Sequence, residues 1–436
     1  NGTTGDDVFF GRAEDFSIFD RINGGGGLDT LEIICTELLN VPDLSNLKSI
    51  EQLKITDTEH QSLDFSELSG INSVILNGGT TVKGNVITTT LGDDQSLNLQ
   101  NLKKSDFSTT SLTSGGMLID QPATTSTLNL NIDAVGERSS TTERHLLIDI
   151  MGEEITQLNI KNENASFVTF FNSGGALTNI NLQGEGIINL EKVPSGITRL
   201  EAENAAADIE LEVAGSRTSI STGSGKDRVR LGDGADHVIT RGGDDTIIAA
   251  GGANAISAGS GDDTILIQSG SNNVTAGGGD DSVTIHAGTN DVKTQEGSDA
   301  VSISDGDNVV DAGTGDNTIS ISGGNNSVFL AAGNDTIVAS AGTNTVSSGG
   351  GNDQITLSGG THEIDSGDGD DVVTASGGAS NVDIRVLNGG VGSDTLRIIS
   401  TGNVTLPTST GFENIFISDT VHQSIDFSLS SSVEQI

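Results

Sequence analysis

The sequence predicts an all-β protein: irregular β-helix coils followed by a regular parallel β-solenoid that has two nine-residue repeats in each coil. Three observations favour this fold. The chain has 59 glycines, a nine-residue repeat runs through residues 222–383, and short alternating strand patterns precede it. Glycine-rich chains are either disordered or turn-dense repeats, and a regular apolar rhythm favours the repeat.

The regular part divides into nonamers. From Thr222 to Asp383 there are eighteen of them without a gap, the fourth residue always Gly and the eighth always Val or Ile. A required Gly indicates a tight turn that excludes Cβ, and the aliphatic residue indicates a short strand with one inward side chain. Two nonamers therefore make one coil, and stacked coils form two parallel sheets around a thin core.

The sixth position of the nonamers separates alternate repeats into two columns. The first column is acidic in eight of nine repeats: Asp227, Asp245, Asp263, Asp281, Asp299, Asn317, Asp335, Asp353 and Asp371. The second column is mostly amide: Asp236, Asn254, Asn272, Asn290, Asn308, Asn326, Asn344, His362 and Ser380. Alternate nonamers lie on opposite edges of a coil, so we expect one carboxylate edge and one amide edge.

The acidic column predicts several calcium ions. Neighbouring carboxylates would stack about 4.8 Å apart and repel by roughly 3 kcal/mol per pair at an effective dielectric of about 20. Calcium takes about six to eight oxygens, which carboxylates and the carbonyls of glycine turns can supply. Asn317 predicts a weaker or missing site, and Asp7, Asp29 and Asp394 predict isolated ones. The amides of the other column predict an uncharged hydrogen-bonded ladder.

A longer repeat joins the two ends of the chain. "GGGGLDTLEII" at 24–34 returns as "GGVGSDTLRII" at 389–399, and "ITDTEHQSLDFS" at 55–66 returns as "ISDTVHQSIDFS" at 417–428. We therefore expect a tandem unit of about 360 residues. The predicted divisions are 1–30, the end of a preceding unit; 31–221, the irregular solenoid; 222–388, the regular solenoid; and 389–436, the start of the next unit.

Several nonamers resemble a known family. "AGSGDDTIL" at 258–266, "AGGGDDSVT" at 276–284 and "GGGGLDTLE" at 24–32 closely resemble the GGxGxDxUx nonapeptide of RTX (repeats-in-toxin) proteins. The resemblance implies a parallel β-roll that binds calcium in its glycine turns. It implies that the sixth-position Asp residues and the carbonyls of the fourth-position glycines are ligands. Those glycines are Gly225, Gly243, Gly261, Gly279, Gly297, Gly315, Gly333, Gly351 and Gly369.

A looser resemblance concerns the irregular part, where "SNLKSIEQLKIT" is similar to the solenoid coils of RTX-type bacterial surface-layer proteins and large adhesins. The looser resemblance implies a place at the cell surface, and the RTX resemblance implies secretion by a type I system. Folding would then wait for external calcium, which is abundant outside the cell and scarce inside it.

Composition argues against other classes of function. A net charge of −41 disfavours nucleic acid and anionic membranes, and no apolar run approaches the ~18 residues of a membrane helix. Cys35 is the single cysteine and is expected to be a buried thiol. The sequence contains neither G-x-S-x-G nor H-E-x-x-H, and His60 and His422 are the same coil corner in two copies.

The sequence therefore predicts a structural, extracellular calcium-binding protein of a bacterial surface layer, not an enzyme. The stalk of a type I-secreted adhesin is the alternative. A polysaccharide-acting enzyme and an ice-binding module are further alternatives, the latter because Thr and Ser recur at outward strand positions. Expected partners are calcium, further copies of the chain and a cell-surface polysaccharide.

Overall fold

The computed structural model describes residues 1–12, 21–34, 47–56, 62–64, 70–77, 86–91, 95–100, 116–120, 126–133, 135, 137–138, 143–144, 146–206, 208–213, 217–377, 381–400, 403–407 and 409–419. Cys35, His60, Ser380 and His422 lie outside these ranges. The described residues form strands, turns and loops, and none of them belongs to a helix of the length and hydropathy of a membrane span. Two compact units are present, Asn1–Val229 and Arg230–Ile436.

The first unit contains two stacks of parallel strands that alternate along the chain from Gln52 onward. One stack consists of Val8–Arg12, Thr30–Ile34, Gln52–Thr56, Ser73–Asn77, Ser96–Gln100, Thr127–Asp133, Gln157–Asn162, Asn179–Gly184, Arg199–Ala205 and Ser219–Ser221. The other consists of Ser62–Asp64, Val86–Thr90, Gly116–Asp120, Leu146–Ile150, Ser166–Phe171, Ile188–Val193 and Ile209–Val213.

Coil length in the first unit is uneven, as the irregular strand spacing predicts. Thr30 pairs with Gln52, whereas Ser96 pairs with Asn129, so the second of these coils is half as long again as the first. Two short pairs complete the described strands of this unit: Ile22–Asn23 with Leu47–Lys48 in parallel, and Glu137–Arg138 with Glu143–Arg144 antiparallel. Two of the parallel pairings in this unit have register shifts, one between Asn181 and Gln183 and one between Leu190 and Val193.

The second unit also contains two stacks of parallel strands. Strand Arg228–Leu231 includes the first residues of this unit. One stack consists of His237–Ile239, Ala255–Ser260, Asn273–Gly278, Asp291–Glu296, Asp307–Thr314, Asn325–Ala332, Thr343–Ser347, Gly360–Asp365, Val382–Asn388, Val404–Thr405 and Ser409–Thr410. The other consists of Thr246–Ala249, Thr264–Ile267, Ser282–Ile285, Ala300–Ile303, Thr318–Ile321, Thr336–Ala339, Gln354–Leu357, Val372–Ala375, Thr395–Ser400 and Asn414–Asp419.

The predicted period of two nonamers per coil is confirmed in the second unit. Thr246 pairs with Thr264, Thr264 with Ser282, and so on in steps of two nonamers to Val372. Beyond this point the coil lengthens, because Val372 pairs with Thr395 rather than with a residue two nonamers away. The fold is thus an all-β parallel solenoid, as the sequence predicts.

The core of each coil is thin and aliphatic. Ile265 and Ile267 from one strand and Val274 from the next are 0% exposed. Burying such a side chain contributes roughly 1.5–3 kcal/mol, so a single coil stabilises little by itself. Stability therefore depends on stacking against the neighbouring coils, which also fixes the turn residues in columns.

Candidate metal-binding column

The structure brings the sixth-position Asp residues of the second unit together in one buried column. The backbone N–H of Asp263 donates to Oδ1 of Asp281 at 2.8 Å, and the N–H of Asp281 donates to Oδ1 of Asp299 at 2.9 Å. The same bond recurs between successive coils from Asp245 to Asp394. Each side chain therefore links two coils through one oxygen. The members of the column are at most 2% exposed: Asp245, Asp263, Asp281, Asp299, Asn317, Asp335, Asp353, Asp371 and Asp394.

The first predicted member of the column, Asp227, lies at the end of the first unit. It is 1% exposed, and its Oδ1 accepts a hydrogen bond from the N–H of Ile209 at 2.9 Å. Burial raises its pKa from 3.8 to about 6, while a hydrogen bond from Thr222 acts in the opposite direction. Asp227 thus joins two coils of its own unit in the way that the column members join theirs.

The second carboxylate oxygen of three column members has no such bond. Oδ2 of Asp263, of Asp281 and of Asp394 is buried and makes no hydrogen bond. A buried carboxylate oxygen without a partner is costly, so this arrangement calls for a positive charge or a proton at Oδ2.

The raised pKa values of the column carboxylates indicate the same need for a positive charge or a proton. Burial raises the pKa of Asp263 and of Asp281 from 3.8 to about 7, and neighbouring carboxylates add to the rise. Burial also raises the pKa of Asp353 to about 6, where a hydrogen bond from Ser348 acts in the opposite direction. The pKa values of Asp299, Asp335 and Asp371 are raised by burial as well. Because burial disfavours the charged carboxylates, they must either take up protons or bind cations at physiological pH.

Asn317 identifies the group that faces the unsatisfied oxygen. Its Nδ2 donates to the carbonyl oxygen of Gly315 at 2.9 Å, while its Oδ1 accepts from the N–H of Asp299 at 2.9 Å. An Asp in the same arrangement would direct Oδ2 at the carbonyl, which would leave two acceptors without a hydrogen between them. Carboxylate and carbonyl oxygens are the ligands that calcium prefers, and a hard divalent cation would supply the positive charge that these acceptors need. The residues present therefore fit the metal that the sequence predicts.

The fourth-position glycines shape the turn beside the column. From Gly243 to Gly369 their φ angles lie between 108° and 145°, a region that residues with Cβ rarely adopt. A Cβ on Gly279 would lie 2.3 Å from the carbonyl oxygen of Gly261. The glycines thus keep the carbonyls of successive turns close together. Arg241 and Gln295 occupy second positions and also have positive φ, so Gly is not mandatory there.

A second column lies at the fifth position and was missed by the sequence reasoning. The N–H of Asp280 donates to Oδ1 of Asp262 at 2.9 Å, and the N–H of Ser298 donates to Oδ1 of Asp280 at 2.8 Å. These residues are exposed, unlike their sixth-position neighbours. Asp or Asn at the fifth position of most acidic nonamers was the available signal. This column ties the turns together at the surface.

The isolated sites of the prediction fall into two kinds. Asp29 and Asp394 are 0% exposed and have an unsatisfied Oδ2, like the column members. Asp7 differs, because its Oδ2 accepts hydrogen bonds from the N–H and hydroxyl of Thr3. Asp7 therefore has less need of a cation than Asp29.

The amide column forms the predicted ladder. Nδ2 of Asn272 donates to Oδ1 of Asn290 at 2.8 Å, and Nδ2 of Asn290 donates to Oδ1 of Asn308 at 2.7 Å. The ladder runs from Asn254 to Asn344, whose Nδ2 lies 3.4 Å from Nδ1 of His362. Burial lowers the pKa of His362, so this end of the ladder is uncharged at neutral pH. The amides of this column therefore satisfy one another without a cation.

No group of three or more His, Cys, Asp or Glu side chains in the described ranges could hold a metal ion by itself. Calcium takes about six to eight oxygens, to which the backbone carbonyls of the glycine turns can contribute beside the carboxylates.

A comparison with protein-family models decides the identity of the nonamers. The RTX calcium-binding nonapeptide repeat matches four times, at residues 219–238, 231–265, 302–337 and 320–355. The chain carries RTX repeats. No curated protein and no solved structure matched the chain. The matched ranges overlap the part of the chain in which the acidic column, the positive-φ glycines and the register of two nonamers per coil occur together.

Proposed function

We propose that the chain is a structural, calcium-binding part of a bacterial cell surface, in which calcium joins successive solenoid coils and drives folding. The observation that carries the proposal is the buried, unsatisfied Oδ2 that recurs in the column, as in Asp263 and Asp281. The sixth-position Asp residues and the fourth-position Gly carbonyls named above would hold the ions. When bound, calcium supplies the positive charge that the column lacks and ligates oxygens of adjacent turns.

The side chains of the column have two roles in this proposal. Oδ1 of each Asp holds the backbone N–H of the preceding coil, and this contact sets the spacing of the rungs. Oδ2 remains for the cation, so calcium binding and coil stacking are linked. Because an unfolded chain does not bring these oxygens together, calcium favours the folded state.

A solenoid of this kind suits a mechanical role at a surface. Sequence repetition between residues 24–34 and 389–399 supports tandem copies or self-association. We propose a surface-layer subunit that is secreted by a type I system. The acidic RTX repeats support extracellular folding, where calcium is abundant. In the alternative, the same solenoid is a stalk segment of an adhesin.

The calcium function is tested by circular dichroism, thermal melting and calorimetric titration with and without calcium. Calcium should induce strand structure and raise the melting temperature, and Asp281→Asn should bind fewer ions than the wild-type chain. Asn290→Ala in the amide column is the matched control and should leave the number of bound ions unchanged. Equal loss of calcium in both variants, or no binding by the wild-type chain, would refute the proposal.

The surface-layer role needs a separate measurement. Negative-stain electron microscopy of the chain with calcium should show ordered two-dimensional lattices. Monomeric rods at every calcium concentration would favour the adhesin stalk and contradict the surface-layer role.

A further inference from the structure

Two glutamates extend stacks of acidic side chains into coils that lack the RTX nonapeptide. We call each such stack an acidic run. The N–H of Asp29 donates to Oε2 of Glu51 at 2.9 Å, and the N–H of Asp394 donates to Oε2 of Glu413 at 2.8 Å. Each bond is the one that joins successive Asp residues within the column. The two glutamates therefore stand in the place of a sixth-position Asp.

The backbone before each glutamate has the same shape in both copies. Two residues before Glu51 is Ser49, with φ of 49°, and two residues before Glu413 is Gly411, with φ of 76°. The intervening Ile50 and Phe412 are each 2% exposed, where the RTX turns carry an exposed polar residue. These turns therefore keep a positive φ two residues before the acidic residue, as the fourth position of an RTX nonamer does. They differ in burying the residue that corresponds to the fifth position.

The Asp that donates its N–H to each glutamate has a carboxylate oxygen that is buried without a hydrogen bond. Asp29 and Asp394 are 0% exposed, and Oδ2 of each makes no hydrogen bond. Burial raises the pKa of Asp394 to about 6, and the charges of Asp371 and Glu413 raise it further. A buried carboxylate beside a second carboxylate needs either a proton or a nearby cation, and a cation can interact with both carboxylates at once.

The two constellations occupy equivalent positions in the two copies of the long repeat. Asp29 and Glu51 are separated by 22 residues, whereas Asp394 and Glu413 are separated by 19, yet the same atoms make the same bond. In the first unit the next rung is neutral: the N–H of Asn72 donates to the carbonyl oxygen of Glu51 at 2.8 Å. The acidic run that contains Asp29 therefore ends at Glu51.

We propose that Glu51 with Asp29, and Glu413 with Asp394, form two further calcium sites outside the RTX nonapeptides. The longer glutamate side chain reaches the cation from a turn whose apolar fifth residue packs into the core. This inference rests on the proposed calcium function, and it adds ligands that no RTX nonapeptide contains.

The test counts bound calcium by native mass spectrometry and by calorimetric titration with calcium chloride. Glu51→Gln and Glu413→Gln should each bind one ion fewer than the wild-type chain, and the double variant two fewer. Gln keeps an oxygen for the N–H of Asp29 or Asp394, so the strand structure seen by circular dichroism should persist. If a Gln variant does not fold, Asp29→Asn and Asp394→Asn provide the same count from the other ligand.

The outcomes separate this inference from the general calcium function. An unchanged count in both Gln variants, alongside a reduced count in Asp281→Asn, would overturn the glutamate sites and leave the RTX column intact. An unchanged count in all variants would overturn both proposals. A loss of one ion in each Gln variant supports the two glutamate sites.

Discussion

Asn317 donates from Nδ2 to the carbonyl oxygen of Gly315 at 2.9 Å, in a column where the neighbouring rungs carry Asp. The amide thereby satisfies within the protein the contact that we propose an Asp leaves to a cation. This relationship makes position 317 a natural internal control for the calcium column.

Asn317→Asp should add one calcium ion and make folding more dependent on calcium. The substitution replaces a donor by an acceptor next to Gly315, so without calcium we expect a loss of about 1–3 kcal/mol in the free energy of unfolding. Calorimetric titration gives the ion count, and urea unfolding in a chelator gives the stability. An unchanged ion count in a folded variant would show that the Gly315 carbonyl does not contribute to a site.

Stability should depend on pH in opposite directions with and without calcium. The pKa values of Asp263 and Asp281 are raised from 3.8 to about 7 in the folded state, so folding favours their protonated forms. Without calcium, stability is highest below about pH 4 from these groups and is lost as the pH rises through 7. With calcium, protons compete with the ion, so affinity should fall as the pH drops below 7.

Melting curves between pH 4 and pH 8, recorded in a chelator and in excess calcium, measure both effects. Asn290→Ala again serves as a control, because it leaves the acidic column unchanged. Parallel pH profiles in the two conditions would contradict the coupling between protonation and calcium binding.

Gly279→Ala should destabilise the solenoid strongly even in saturating calcium. Gly279 has φ of 129°, and its added Cβ would lie 2.3 Å from the carbonyl oxygen of Gly261. The left-handed conformation alone costs about 1–2 kcal/mol, and the clash adds to it. Gly278→Ala is a close control, since a Cβ there meets nothing within 4 Å. Equal unfolding midpoints for the two variants in urea would contradict this account of the turn.

Asn290→Ala should lower stability without lowering the number of bound calcium ions. The substitution removes the acceptor of Asn272 and the donor to Asn308, both buried, at a cost of about 1–3 kcal/mol. Chemical unfolding in excess calcium measures the loss, and titration measures the count. A variant as stable as the wild-type chain would show that the ladder adds nothing to folding.

The sequence by itself determined the coil and its columns. Gly at every fourth position and Val or Ile at every eighth position were sufficient to predict two nonamers per coil, which the pairing of Thr246 with Thr264 confirms. The contrast between Asp281 and Asn290 predicted a charged edge and a hydrogen-bonded edge. These features are local and periodic, so they can be read from a single chain.

The tertiary structure alone decided how each carboxylate is used. A nine-residue pattern does not show that Oδ1 of Asp281 accepts the N–H of Asp263 while Oδ2 is buried without a hydrogen bond. Both features arise only when the coils stack. Nor does it reveal Glu51 and Glu413, because the coils that separate them from Asp29 and Asp394 are not two nonamers long. Comparing "SIEQLKI" at 49–55 with "GFENIFI" at 411–417 gave a faint signal, but only stacking places those glutamates beside Asp29 and Asp394.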